Sequence, residues 1–185
     1  KGKSWNKPSE PSADDEQKGF QILLFGTTDK GESICVEVQG FKPYFYVQIP
    51  VDWQPKTING YKSYLLKKCV YPSAEAIRLI TFTEEWHKKL FDFDNGEKHR
   101  FLKITVPSQA IWRRFKNAML SQNLDPIPLT IGGSTYSLKV YEANIDPVLR
   151  FFHERDLDPA GWIKLPAFKY ELTESEDATT KVTAA

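Results

Sequence analysis

Between Phe20 and Gln48 three short runs, FQILLFGTT, SICVEVQG and PYFYVQ, follow one another with only a few residues between them. Runs of this length, rich in β-branched and aromatic residues and bounded by turn formers, read as strands, so an all-helical fold is excluded at the outset. Asp29, Lys30 and Gly31 in DKGE suit a tight reversal between the first two runs, which makes them a hairpin. Pro43 stands at the entrance of the third, where a missing N–H is harmless. Phe41, Tyr44, Phe45 and Tyr46 crowd that entrance; with a period of two, Phe41 and Phe45 face the core while Tyr44 and Tyr46 face the other side.

The rest of the chain mixes strands with helices. HKKLFDF and KHRFLKITV flank DNGE, in which Asn95 and Gly96 are a strong hairpin signal. Ser108 caps a helix whose Ile111, Phe115 and Met119 recur every fourth residue, leaving Arg113, Arg114, Lys116 and Asn117 on other faces. A short helix is predicted over 60–68. TYSLKVYE reads as a strand and IGG, at 131–133, as a turn. Asp146 and Pro147 open a further helix with Val148, Phe151 and Phe152 inward, and DPAGWIKLP ends in a short strand. This order defines an α+β fold, an antiparallel or mixed sheet with hairpins and two or three packed helices. Residues 1–18, mixing Pro, Ser and charge, read as a flexible leader, 19–170 as the folded unit, and 171–185 as a polar linker. The opening on Lys1 reads as a piece of a longer protein.

Composition excludes more than it assigns. With 25 Lys and Arg against 24 Asp and Glu, no field covers the whole molecule, so any polyanion site must be a local patch. No apolar run reaches the length needed to cross a bilayer, which argues against a membrane partner. Cys35 and Cys69 stand in unrelated contexts and no secretory leader precedes them, which points to a reducing intracellular compartment. His87, His99 and His153 lack metal-ligand spacing, and Asp92 and Asp94 belong to the hairpin turn rather than to a calcium loop, so no metal is expected in this chain. No Gly-x-Ser-x-Gly or phosphate loop occurs, and no catalytic residues are expected.

What remains is cationic groups interleaved with aromatics: Lys62, Lys67 and Lys68; Lys88 and Lys89; Lys98 and Arg100; Arg113, Arg114 and Lys116. Phosphates need cations and unpaired bases need flat rings, so a surface for single strands requires such a pattern. Solvated helix faces over an aromatic core produce the same string.

Two blocks carry a resemblance. LLFGTTDKGESICVEVQGFKPYFYV, through Phe25, Gly26, Gly31, Gly40, Phe41, Pro43, Tyr44, Phe45 and Tyr46, resembles the opening of the amino-terminal domain of family B DNA polymerases. VYEANIDPVLRFFHERDLDPAGWIKLP, through Tyr141, Glu142, Asn144, Leu149, Arg150, Phe151, Gly161, Trp162, Ile163 and Pro166, resembles the family's later Tyr-Glu-x-Asn segment with its helix and Gly-Trp-Ile stretch. The wording of the second block and the intervening hairpin are most similar to delta-type polymerases of large DNA viruses.

The resemblance implies a domain with OB-like and RNA-binding-motif-like elements, noncatalytic in itself, in a parent chain that carries polymerase and 3'-5' exonuclease activities with Mg2+. It implies as partners the single-stranded template, the exonuclease and polymerase domains of that chain, and a sliding clamp. A viral source would place it in a host cytoplasmic replication factory or nucleus. The family's Tyr-Gly-Asp-Thr-Asp motif does not occur here, and Asp-x-Glu occurs only as Asp14-Asp15-Glu16 in the polar leader. In archaeal relatives the Pro-Tyr-Phe-Tyr region helps inspect template bases, so Pro43 and Tyr44 are the positions to which that role carries over. The candidate nucleic-acid contacts are therefore Pro43, Tyr44, Tyr46, Lys67, Lys68, Arg113, Arg114 and Lys116. The alternative is a stand-alone single-strand-binding or protein-interaction module of the same fold.

Overall fold

The computed structural model describes residues 19–69, 74–88, 96–165, 170–173 and 180–184. In chain order these form β1 (Ile22–Thr27), β2 (Ser33–Val38), β3 (Tyr44–Gln48), α1 (Pro55–Cys69), α2 (Ala74–Leu79), β4 (Thr81–Lys88), β5 (Lys98–Thr105), α3 (Gln109–Met119), β6 (Leu129–Ile131), β7 (Ser134–Tyr136), β8 (Val140–Tyr141), α4 (Pro147–Glu154), β9 (Tyr170–Thr173) and β10 (Thr180–Ala184). The strands make a sheet ordered β1-β2-β10-β9, a second ordered β4-β5-β3-β8, and the small hairpin β6-β7. The α+β fold expected from the sequence is the one observed.

The DKGE reversal closes the first hairpin, with Gly31 at φ 84° and its N–H donating to the Thr28 carbonyl at 3.0 Å. The third strand does not continue that hairpin. The chain turns at Gly40, φ 82°, and β3 enters the second sheet between β5 and β8. There the alternation of PYFYVQI decides the layers: Phe45 and Val47 are fully buried beneath the helices, and Tyr44, Tyr46 and Gln48 face away from them.

The core joins one face of the second sheet to two helices. Phe45, Val47, Leu102 and Ile104 meet Ile58, Tyr61 and Leu65 of α1 and Ile111 and Phe115 of α3. Helix α1 outruns the expected 60–68 because Pro55, lacking an N–H, is preorganised for the first helical position. Ser108 caps α3 as predicted, its Oγ accepting from the Ile111 N–H at 3.3 Å.

Several expectations are corrected. The strand preceding Gly96 is Thr81–Lys88, earlier than HKKLFDF, and residues 89–95, with Asp92 and Asp94, lie outside the described residues. TYSLKVYE splits: β7 folds back on β6 across Gly132 and Gly133, whereas β8 pairs with β3. Helix α4 buries Pro147, Arg150 and Phe151, while Val148 is exposed, because its inner face meets the polar side of the sheet. No strand forms over 157–165. The segment 171–185, read as a linker, instead carries most of β9 and all of β10, which runs parallel to β2 with Val182 opposite Val36. Polarity suggested a linker there, but Thr180, Val182 and Thr183 are β-branched and suit a pleated strand.

Candidate nucleic-acid interface

The two sequence blocks that carry the resemblance meet on the face of the second sheet opposite α1 and α3, where α4 lies. Tyr46 on β3 pairs with Tyr141 on β8, and the Tyr141 hydroxyl donates to Gln48 Oε1 at 3.1 Å. Phe41 packs edge-on against Phe151 of α4, ring centroids 5.5 Å apart. At the centre lies Tyr44. Lys103 Nζ stands 4.1 Å from its ring centroid and the Arg150 guanidinium 4.2 Å, while its hydroxyl donates to Glu154. Arg150 is itself clasped by Glu142, with Nη1 2.6 Å from Oε2 and Nη2 donating to the Glu142 carbonyl at 3.2 Å. Glu142 adopts the left-handed region, φ 63°, to present both acceptors.

Tyr46 extends the cluster through edge contacts with Tyr44, His87 and Phe101. His87 Nε2 lies 2.6 Å from Glu85 Oε2, and Lys103 Nζ lies 3.9 Å from Glu85 Oε1. Cations and carboxylates therefore alternate around a tyrosine pair, Lys103 and Arg150 among Glu85, Glu142 and Glu154. Two cations, Lys103 and Arg150, thus already engage the Tyr44 ring. Tyr44 and Tyr46 thereby join strands to helix. Pro43 is buried, and its carbonyl accepts from the Val106 N–H at 2.9 Å.

The other candidates lie in the helix layer, across the sheet from Tyr44 and Tyr46. Lys67 and Lys68 project from the last turn of α1, and Lys68 donates to the Tyr64 hydroxyl at 3.1 Å. Lys116 lies 5.4 Å from the Trp112 ring centroid, Arg113 is exposed and Arg114 half-buried. The predicted set is thus divided between two surfaces. Arg100 is taken up structurally: it donates to Glu84 at 2.6 Å and to the Trp53 carbonyl at 3.0 Å. Lys103, Glu142, Arg150 and Glu154 were absent from the predicted contacts. The alternation of KHRFLKIT, which puts Phe101, Lys103 and Thr105 on one face, was the signal for Lys103.

Burial, reinforced by the Glu154 bond and opposed by Arg150, raises the Tyr44 hydroxyl above the usual tyrosine range. Burial, then Glu85, raises Tyr46 further. Burial pulls Arg150 down, but Glu142 and Tyr44 outweigh it and hold the guanidinium above its ordinary value. At the end of α1, burial pushes the Cys69 thiol up to about 12. Neutral forms are favoured in the folded state, so this stabilisation is complete below the ordinary values of 9.0 for cysteine and 10.0 for tyrosine. It is lost as pH rises through the folded values, for Cys69 between 9.0 and about 12. The melting temperature should fall progressively above pH 9.0, and a flat profile to strongly alkaline pH would contradict these burials.

Among the described residues no group of three His, Cys, Asp or Glu side chains could hold a metal ion. No helix among the described residues is long and apolar enough to cross a membrane.

No family model matches the chain. The fold is of the class carried by family B DNA polymerases: the structure of the family B DNA polymerase from the hyperthermophilic archaeon Pyrobaculum calidifontis aligns with a TM-score of 0.59 and 17% identity, covering 91% of this chain and 18% of that one. In sequence the homologues are DNA polymerases. The DNA polymerase of Acanthamoeba polyphaga mimivirus is 28% identical over 169 residues, 87% of this chain and 10% of its own length. The DNA polymerase delta catalytic subunit of Schizosaccharomyces pombe is 30% identical over 190 residues, 92% of this chain and 17% of its own length. The chain thus spans between about a tenth and a sixth of the length of these relatives.

Proposed function

We propose that the chain is the noncatalytic amino-terminal domain of a replicative family B DNA polymerase of the delta type, which scaffolds the exonuclease domain of its parent chain and contacts single-stranded template. The observation that carries this reading is the alignment with a DNA polymerase delta catalytic subunit over 92% of the chain. The two blocks that make the alignment recognisable are joined in space by Arg150, which supports a domain kept for its shape. On this reading the parent is a DNA-directed DNA polymerase with 3'-5' proofreading, and its Mg2+ chemistry belongs to carboxylates of other domains. A sliding clamp is a further candidate partner, and the compartment is intracellular, in a viral case the host replication factory or nucleus.

Lys67 and Arg113 are the exposed cations favoured for the template, since neither has a hydrogen-bond or ion-pair partner among the described residues. Contact with phosphate is read by salt. Fluorescence anisotropy with an oligothymidylate should give weak binding whose log–log salt slope drops by ~0.7 for each phosphate contact removed. Arg113→Ala or Lys67→Ala is expected to lower both affinity and slope. An unchanged slope in both variants removes the helix layer from the template path.

A further inference from the structure

The hairpin of β4 and β5 carries an aromatic group that neither surface described above uses. Trp86 on β4 is 51% exposed. By the alternation of the strand it shares a face with Phe82, which packs against the core and lies 6.0 Å from Lys62 Nζ of α1, so Trp86 stands on the same side of the sheet as α1 and α3. Its footing is fixed: Arg100, directly opposite on β5, donates to Glu84 at 2.6 Å and to the Trp53 carbonyl at 3.0 Å. At the next pair on that face Lys88 stands directly opposite Lys98, and like charges so placed destabilise a sheet. Both lysines are exposed, and neither has a hydrogen-bond or ion-pair partner among the described residues. Of the neighbouring carboxylates among the described residues, Glu84 is taken up by Arg100, Glu85 lies on the other face with His87, and Glu97 adjoins Lys98 without cancelling both cations.

We propose that this hairpin is a contact point for single-stranded DNA: a base stacks on the Trp86 indole and the adjoining phosphates lie at Lys88 and Lys98. The inference rests on the template-binding reading above, and it supplies the stacking group that the exposed cations Lys67 and Arg113 do not. Two observations select this occupant. An anion placed at the facing lysines replaces their repulsion by attraction to both. Beside them, the half-exposed indole offers a base a flat apolar partner, whereas a carboxylate-rich peptide would answer the lysines alone.

The test titrates the chain into a fluorescein-labelled oligothymidylate over a series of salt concentrations, with a glutamate decapeptide as the polyanion control. Trp86→Leu is expected to weaken binding about tenfold at unchanged log–log salt slope, because stacking releases no counterions. Trp86→Tyr should restore most of the affinity, which separates lost stacking from lost fold. The double variant Lys88→Ala, Lys98→Ala should weaken binding and lower the slope by ~0.7 for each lysine that holds a phosphate. It should melt no lower than the parent, since it removes a like-charge pair. Parental affinity in Trp86→Leu, equal losses in Trp86→Leu and Trp86→Tyr, or an unchanged slope in the lysine variant would overturn the proposal. So would equal binding of the glutamate decapeptide that Trp86→Leu retains, which assigns the lysines to an acidic protein. A slope lowered by Lys67→Ala or Arg113→Ala beside unaffected hairpin variants refutes this site and leaves the template-binding reading standing, whereas no binding by the parent refutes both.

Discussion

Phe115→Ala is expected to lower the unfolding free energy by about 4 kcal/mol, the range for removing a fully buried phenyl ring from a close-packed core. Phe115 has no exposure and stacks obliquely on Phe45, ring centroids 6.3 Å apart, at the seam where α3 meets β3. The surrounding wall, Ile104, Ile111 and Val106, is itself fully buried, so little of the space can be recovered by collapse. In urea titration the midpoint should fall by roughly 2 M at unchanged slope. A loss under about 1 kcal/mol would mean that α3 is not seated on the sheet as described. The same ring also divides the two candidate surfaces, since Phe45 points to α3 only if Tyr44 and Tyr46 point away.

Glu142→Gln should cost about 3 kcal/mol, because it leaves the Arg150 guanidinium, which is 7% exposed, without its charged partner. Gln keeps the length and the backbone preferences of the original residue, so the left-handed φ at this position is equally tolerated and the measurement isolates the charge. Arg150 also lies on the Tyr44 ring, and Tyr44 reaches Glu154, so loss of the pair should loosen α4 against β3. A change in the near-ultraviolet dichroism of the tyrosine cluster is expected alongside the stability loss. A cost below about 0.5 kcal/mol would show that Tyr44 and the Glu142 carbonyl suffice to hold the arginine.

Local signals were legible where one rule dominated. The Ser108 cap, the every-fourth apolar residues of α3, the Gly31 reversal and the Asp146–Pro147 helix start each follow from backbone chemistry within a few residues. Sheet membership was not, because β3 leaves its sequence neighbour β2 to pair with β5, more than fifty residues away in the chain. The inward face of α4 was misread for a related reason. Apolar periodicity favoured Val148, yet the surface that α4 covers is polar, and Arg150 is buried by the company of Glu142 and Tyr44. The candidate contacts were chosen by residue type, which cannot tell a cation spent on a ring, such as Lys103, from one facing solvent, such as Arg113.

The central claim, that this chain is the front of a replicative polymerase, is tested most directly by reading its gene on both sides of Lys1 and Ala185. The account predicts an open frame that runs beyond Ala185 into Asp-x-Glu and, much further on, Tyr-Gly-Asp-Thr-Asp. A stop codon shortly after Ala185 would contradict it and leave a stand-alone module whose single-strand affinity becomes the function to explain.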